Sequence, residues 1–204
     1  MKLRQKFMVC ALAAVMTVGS VVSVSAAGLN NSPTADVTAS DPDSGVTVSN
    51  DFAETEEFAD IQQLMPEVAD MITQVNEGTM EMDAFIEELN NIVAGIEDEE
   101  VKAAMEEAIE SLEGMTFITD FNLMNIPEDM EKNENDKYEV TFNVPSITDQ
   151  TQNIKLLLVN KEGEVYGVKI IEPKDINWET KEITVEFDEL ETNGFISFVA
   201  DIAE

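Results

Sequence analysis

The residues able to do chemistry in this chain are nearly all of one kind. There are 43 Asp and Glu against 11 Lys and Arg, no histidine, and a single cysteine, Cys10. Ser-His-Asp and Cys-His nucleophiles and imidazole zinc sites all need the missing imidazole. No lysine after residue 26 lies three positions after a serine, so no Ser-x-x-Lys pair is present, and neither GxGxxG nor GxxxxGK[ST] occurs. Carboxylate chemistry remains. Two acids in a cleft suffice for a glycosidase, but Glu87, Glu88, Glu106, Glu107 and Glu110 fall opposite apolar stripes and read as solvated faces. Calcium suits hard carboxylates better, and its candidates are Asp41-Pro42-Asp43 and the acidic loop 128–136. Neither follows the EF-hand pattern, since Val46 stands where the first would need glycine and the second contains none. Met80-Glu81-Met82 could offer two thioethers to copper. Methionines at helical spacing read more simply as core filling. Trp178, the one tryptophan, is either core or an exposed face for stacking a sugar, and its place just before a strand favours core. The sequence therefore assigns no catalytic, cofactor-binding or metal-binding residue, and no cofactor.

Charge narrows the partners. Lys2, Arg4 and Lys6 precede an apolar stretch over residues 7–22, and small residues follow at 23–27. This is the pattern of a cleavable export signal. Val24 and Ala26 suit the positions before a signal-peptidase cut after Ala26; a cut after Ala27 is the alternative. Gly19 and Ser20 interrupt a stretch already shorter than the roughly 20 residues a membrane span needs. Cys10 lies near the start of the stretch, away from the cut, so it leaves with the leader. Removing residues 1–26 leaves eight lysines against 43 acids, a net charge of −35 with no arginine. Such a chain lacks the guanidinium fork that makes bidentate phosphate contacts, and its field repels nucleic acid and anionic membranes. The expected setting is extracellular and of Gram-positive type, where cysteine-free exported chains are common.

The elements that would position any site follow from periodicity. Residues 27–56 are rich in Ser, Thr, Asp, Asn and Pro with isolated valines, which predicts a disordered acidic tether, with a short strand at 46–48 as its one ordered candidate. Ile61, Leu64, Met65, Val68, Met71, Ile72 and Val75 then recur at steps of three and four. Pro66 either kinks this helix or opens it. Met82, Phe85, Ile86, Leu89, Ile92, Val93 and Ile96 form a second stripe, with Thr79 as its expected cap. Val101, Ala104, Met105, Ala108, Ile109 and Leu112 form a third, capped by Asp98 and stopped by Gly114.

After Gly114 the period becomes two. Alternation over 117–123, 138–144 and 183–187, and apolar runs at 154–159, 165–171 and 195–202, predict six strands, with a hairpin turn at 160–163.

The order of these strands carries a resemblance. Residues 111–123 run into a strand, Tyr138-Glu-Val-Thr-Phe-Asn-Val-Pro145 precedes a hairpin, and Trp178 is followed by residues 182–190 and a closing apolar strand. Over about 111–204 this resembles the C-terminal immunoglobulin-like domain of secreted proteins from Gram-positive anaerobes. A small-residue and Ser-Pro feature often seen before the last strand is replaced here by Thr192-Asn193-Gly194. The resemblance implies a fold and a compartment and brings no catalytic residue. The expected architecture is α+β, with a leader (1–26), a tether (27–56), a three-helix unit (57–114) and an antiparallel Ig-like β-sandwich (115–204). The expected role is a secreted or surface-associated, non-enzymatic interaction module for a protein or glycan. The alternatives are a structural spacer, a calcium-stabilised module, or a small carboxylate-dependent hydrolase.

Overall fold

The computed structural model describes residues 37–96, 99–162 and 165–203; the expected leader, the first part of the tether, and Asp98 lie outside them. Among the described residues, ten strands and four α-helices build three layers: helices, a six-stranded sheet, and a four-stranded sheet. In chain order the strands are β1 (Thr38–Ala39), β2 (Thr47–Ser49), β3 (Thr116–Phe117), β4 (Asn122–Asn125), β5 (Tyr138–Asn143), β6 (Thr151–Glu162), β7 (Val165–Ile171), β8 (Asp175–Asn177), β9 (Glu182–Phe187) and β10 (Asn193–Ile202). Every pairing is antiparallel. One sheet runs β1-β5-β9-β8; the other runs β2-β4-β10-β6-β7, with β3 also on β10.

The central sheet explains the sequence of its inner strands. In β6, Leu156 and Leu158 face the four-stranded sheet while Leu157 and Val159 face the helices. In β10, Ile196, Phe198 and Ala200 face one way, and Phe195 and Val199 the other. A strand buried on both faces loses its polar alternation, which is why these two segments read as continuous apolar runs. By contrast β9 keeps strict alternation: Ile183, Val185 and Phe187 are fully buried, with Thr184 and Glu186 outside.

The helical layer consists of α1 (Glu56–Leu64), α2 (Pro66–Asn76), α3 (Met82–Ala94) and α4 (Glu99–Glu110). The expected three-helix unit is thus four helices, because Pro66 opens a new helix at its first position. Thr55 caps α1 through its hydroxyl, which accepts from Phe58 N–H at 3.3 Å. Thr79, expected to cap the next helix, instead closes α2 by donating to the Gln74 carbonyl at 3.1 Å. Gly78 and Gly114 take φ of 65° and 80°, the left-handed turn that glycine tolerates.

Residues 37–55 correct the tether expectation. β1 pairs with β5 and β2 pairs with β4, adding an edge strand to each sheet. Val37, Val46 and Phe52 are buried, and Phe52 sits in an aromatic triangle with Phe58 and Phe195 at centroid distances of 5.1–5.9 Å. The hairpin also differs from expectation. The ladder continues through Asn160, Lys161 and Glu162 opposite Gly167, Tyr166 and Val165, so those three residues are strand and not turn.

The strand expected over 117–123 is interrupted. Between β3 and β4 the ladder to β10 lapses, and side chains stand in for it. Phe198 N–H donates to Thr119 Oγ1 and Ser197 Oγ donates to the Thr119 carbonyl, both at 2.8 Å. Asn76, at the end of α2, accepts from Phe121 N–H at 2.7 Å and donates to the Phe121 carbonyl at 2.9 Å. The helical layer is thereby fixed to the sheet at the point where strand pairing fails.

Candidate functional site

The calcium candidates are organised by the protein itself. Asp41 accepts from Asp43 N–H at 2.9 Å and caps a short 3-10 turn. In loop 128–136, Asn133 Oδ1 accepts the N–H of Asn135 at 2.9 Å and of Lys137 at 3.2 Å, and Lys132 pairs with Asp136 at 3.6 Å and Glu189 at 3.5 Å. Among the described residues no group of three or more acids is arranged to hold a metal ion. Of the thioether pair, Met82 is buried and Met80 packs against the same core. Met71, Met105, Met115 and Met124 are buried as well, so these methionines fill the interior at their helical and strand positions. Glu87, Glu88, Glu106, Glu107 and Glu110 are all exposed.

Among the described residues, two of the clefts lined by polar groups also carry an aromatic side chain. The first lies between α1 and the central sheet, where Asp60 Oδ2 accepts from the Tyr166 hydroxyl at 3.2 Å and pairs with Lys161. The Tyr166 hydroxyl also lies 3.2 Å from the Glu57 carbonyl. The Lys161 ammonium, by hydrogen bonding, holds the Asp60 carboxyl below its ordinary range. Burial, followed by the charge of Asp60, pushes the Tyr166 phenol upward. All three groups answer one another, and the cluster ties α1 to β7.

A similar network joins the four-stranded sheet. Lys174 pairs with Glu186 at 2.9 Å and with Glu139, and Asn133 donates to Glu186 at 2.6 Å. Hydrogen bonding from Lys174 holds both carboxyls down. Asp60, Glu139 and Glu186 are thus all shifted toward the charged form. A general acid needs the opposite shift.

The second cleft lies at one end of the sandwich and is built around Trp178. Trp178 is 48 % exposed, which overturns the core position expected from the sequence. It follows β8 in a tight turn fixed at several points. Asn177 Oδ1 accepts from Glu179 N–H at 3.1 Å and Thr180 N–H at 3.2 Å. Asn143 donates to the Thr180 carbonyl at 3.2 Å, and Val144 N–H donates to the Lys181 carbonyl at 2.8 Å. Lys181, at φ 59°, donates from its ammonium to the Pro145 carbonyl at 2.7 Å. The opposite wall is loop 147–151, where Thr151 Oγ1 accepts from Thr148 N–H at 2.9 Å. Between them lies an open groove of ≈ 470 Å³, lined by Ile147, Thr148, Asp149, Thr151, Trp178 and Lys181.

The chain matches no family model, no curated protein and no solved structure. An indole held half-open on a braced turn, ringed by hydroxyls, one carboxylate and one ammonium, can stack a flat partner and hydrogen-bond its rim. The signal for it was local. Trp178 is flanked by Asn177, Glu179, Thr180, Lys181 and Glu182, and a lone aromatic followed by so polar a stretch is poorly placed to enter a core. Among the described residues, no helix is long and apolar enough to cross a membrane.

Proposed function

We propose that this chain is an exported, non-enzymatic interaction module that holds an extracellular partner at the Trp178 end of its sandwich. The carrying observation is the exposed indole on its braced turn. An unpartnered tryptophan of this exposure is the kind of anchor that dominates contact surfaces. Export rests on the leader pattern, and N-terminal sequencing of the secreted protein should begin at Ala27 or one residue later. Ala203 and Ile202 lie near the same end, where Ala203 N–H donates to the Gln150 carbonyl and exposed Ile202 pairs with Thr151 of the groove.

We read the two sheets as Ig-like. The order β1-β5-β9-β8 follows the A-B-E-D sheet of that fold, and β10-β6-β7 follows F-C-C′. One substitution separates the two. The place beside F that strand G fills at the end of an Ig domain is taken here by β4, from before B in the chain.

A spacer role is the competing reading. It is favoured by the helical layer, where Lys102 is the single basic residue between residues 56 and 113. Binding of the purified mature chain to cell-envelope preparations separates the two. An interaction module should lose most of its retention in Trp178→Ala at unchanged melting temperature, whereas a spacer should behave identically in both forms. A calcium-stabilised module is tested in the same melts, since a specific ion must raise the midpoint.

A further inference from the structure

We infer that the Trp178 groove binds a pyranose ring of a neutral glycan. This deepens the reading of that end as a contact surface and rests on it. A pyranose presents a C–H face that lies well on an indole and a rim of hydroxyls that both donate and accept. The groove offers the matching set: the half-exposed indole of Trp178, the Asp149 carboxylate as acceptor, the Lys181 ammonium as donor, and the Thr148 hydroxyl as either. Lys181 directs one proton to the Pro145 carbonyl, which fixes the ammonium at the rim and leaves further donors on it.

Charge selects among occupants. The mature chain carries −35, so a second copy and polyanions such as nucleic acid or acidic polysaccharide are repelled, while a neutral sugar feels no penalty. The wall composition selects further. Apolar side chains laid across the groove would bury Asp149 and Lys181 without adding a partner to either, which is unfavourable, whereas the rim of a sugar supplies hydroxyls to both. The turn is also braced before any ligand arrives, by Asn177, Asn143 and Val144, so little ordering entropy opposes binding.

Trp178 is the one tryptophan, so its emission reports the groove directly. The test titrates the full mature chain with cellotetraose, maltotetraose, mannotetraose and tri-N-acetylchitotriose, with polygalacturonate and a proline-rich peptide as contrasts. The expected result is a saturable change in Trp178 emission with at least one neutral oligosaccharide. Its affinity should move by less than about twofold between low salt and 0.5 M NaCl, as befits an uncharged ligand. By calorimetry, Trp178→Ala should weaken that binding at least about tenfold, Asp149→Asn about threefold or more, and Trp178→Phe less than Trp178→Ala. Silence toward every neutral sugar, or affinity unchanged in Trp178→Ala, would overturn the inference. Response to the peptide or to polygalacturonate alone would overturn it as well, while leaving the contact surface standing. Envelope retention that ignores Trp178 would remove that surface too.

Discussion

Asn76 holds the backbone of Phe121 with both ends of its amide, at 2.7 and 2.9 Å, across 45 residues of sequence. Truncating it leaves one N–H and one carbonyl without partners at the seam between helices and sheet. Asn76→Ala should therefore destabilise the fold by about 2 kcal/mol in urea unfolding, with unchanged dependence on denaturant. Gly194 meets a different constraint. A Cβ there would lie 2.6 Å from the Val159 carbonyl oxygen, a backbone atom that cannot step aside. Gly194→Ala is expected to lower stability by about 1–3 kcal/mol or more as the β6–β10 ladder shifts, measured by thermal melting. Neither residue announced itself in the sequence. Asn76 looks like an ordinary helix C-terminus and Gly194 like a turn glycine, because their roles depend on atoms brought close only by the fold. Trp178 differs: the polar residues from Glu179 to Glu182 signal exposure, and a place before a strand does not by itself bury a side chain.

At the scale of elements, periodicity placed most helices and strands and misjudged their edges. The apolar stripe from Ile61 to Val75 is continuous in the sequence, yet Pro66 divides it into α1 and α2, since proline cannot donate back to the preceding turn. β8 was missed because three residues, Asp175–Asn177, are too few to show alternation. Strand β1, only two residues long, was hidden for the same reason, whereas β2 lies where a short strand is expected at 46–48. The four-stranded sheet is also tied by the Lys174 network, which makes a pH prediction. Glu139 and Glu186 are held below the ordinary carboxyl range of about 4.3, so their contribution to stability is present above that value. It is lost as pH falls through their lower folded values. Glu186→Gln should melt below the wild type at neutral pH, and the gap should close as pH falls below about 4.

At the scale of the whole molecule, the described residues form one packed unit of three layers. Leu157, Val159, Phe195 and Val199 of the central sheet share a core with Phe58, Ile72, Phe85 and Leu89 of the helices. A single cooperative transition is therefore expected in calorimetry. Residues 115–203 made without the helices should expose that face, bind hydrophobic dyes and aggregate. The net charge of −32, or −35 once the proposed leader is removed, should destabilise the compact state by self-repulsion, so the melting temperature should rise with NaCl up to about 0.15 M. By itself the sequence determined the residue inventory, the charge, the basic-then-apolar order of the first residues, and the switch from period 3.6 to period two after Gly114. Those are properties of composition and of local spacing. Only the tertiary structure decided that helices cover one side of the central sheet, that residues 37–49 complete both sheet edges, and that Trp178 stays outside. The physical reason is that edge pairing draws on backbone groups common to every residue, and exposure depends on which distant segment arrives to cover a side chain.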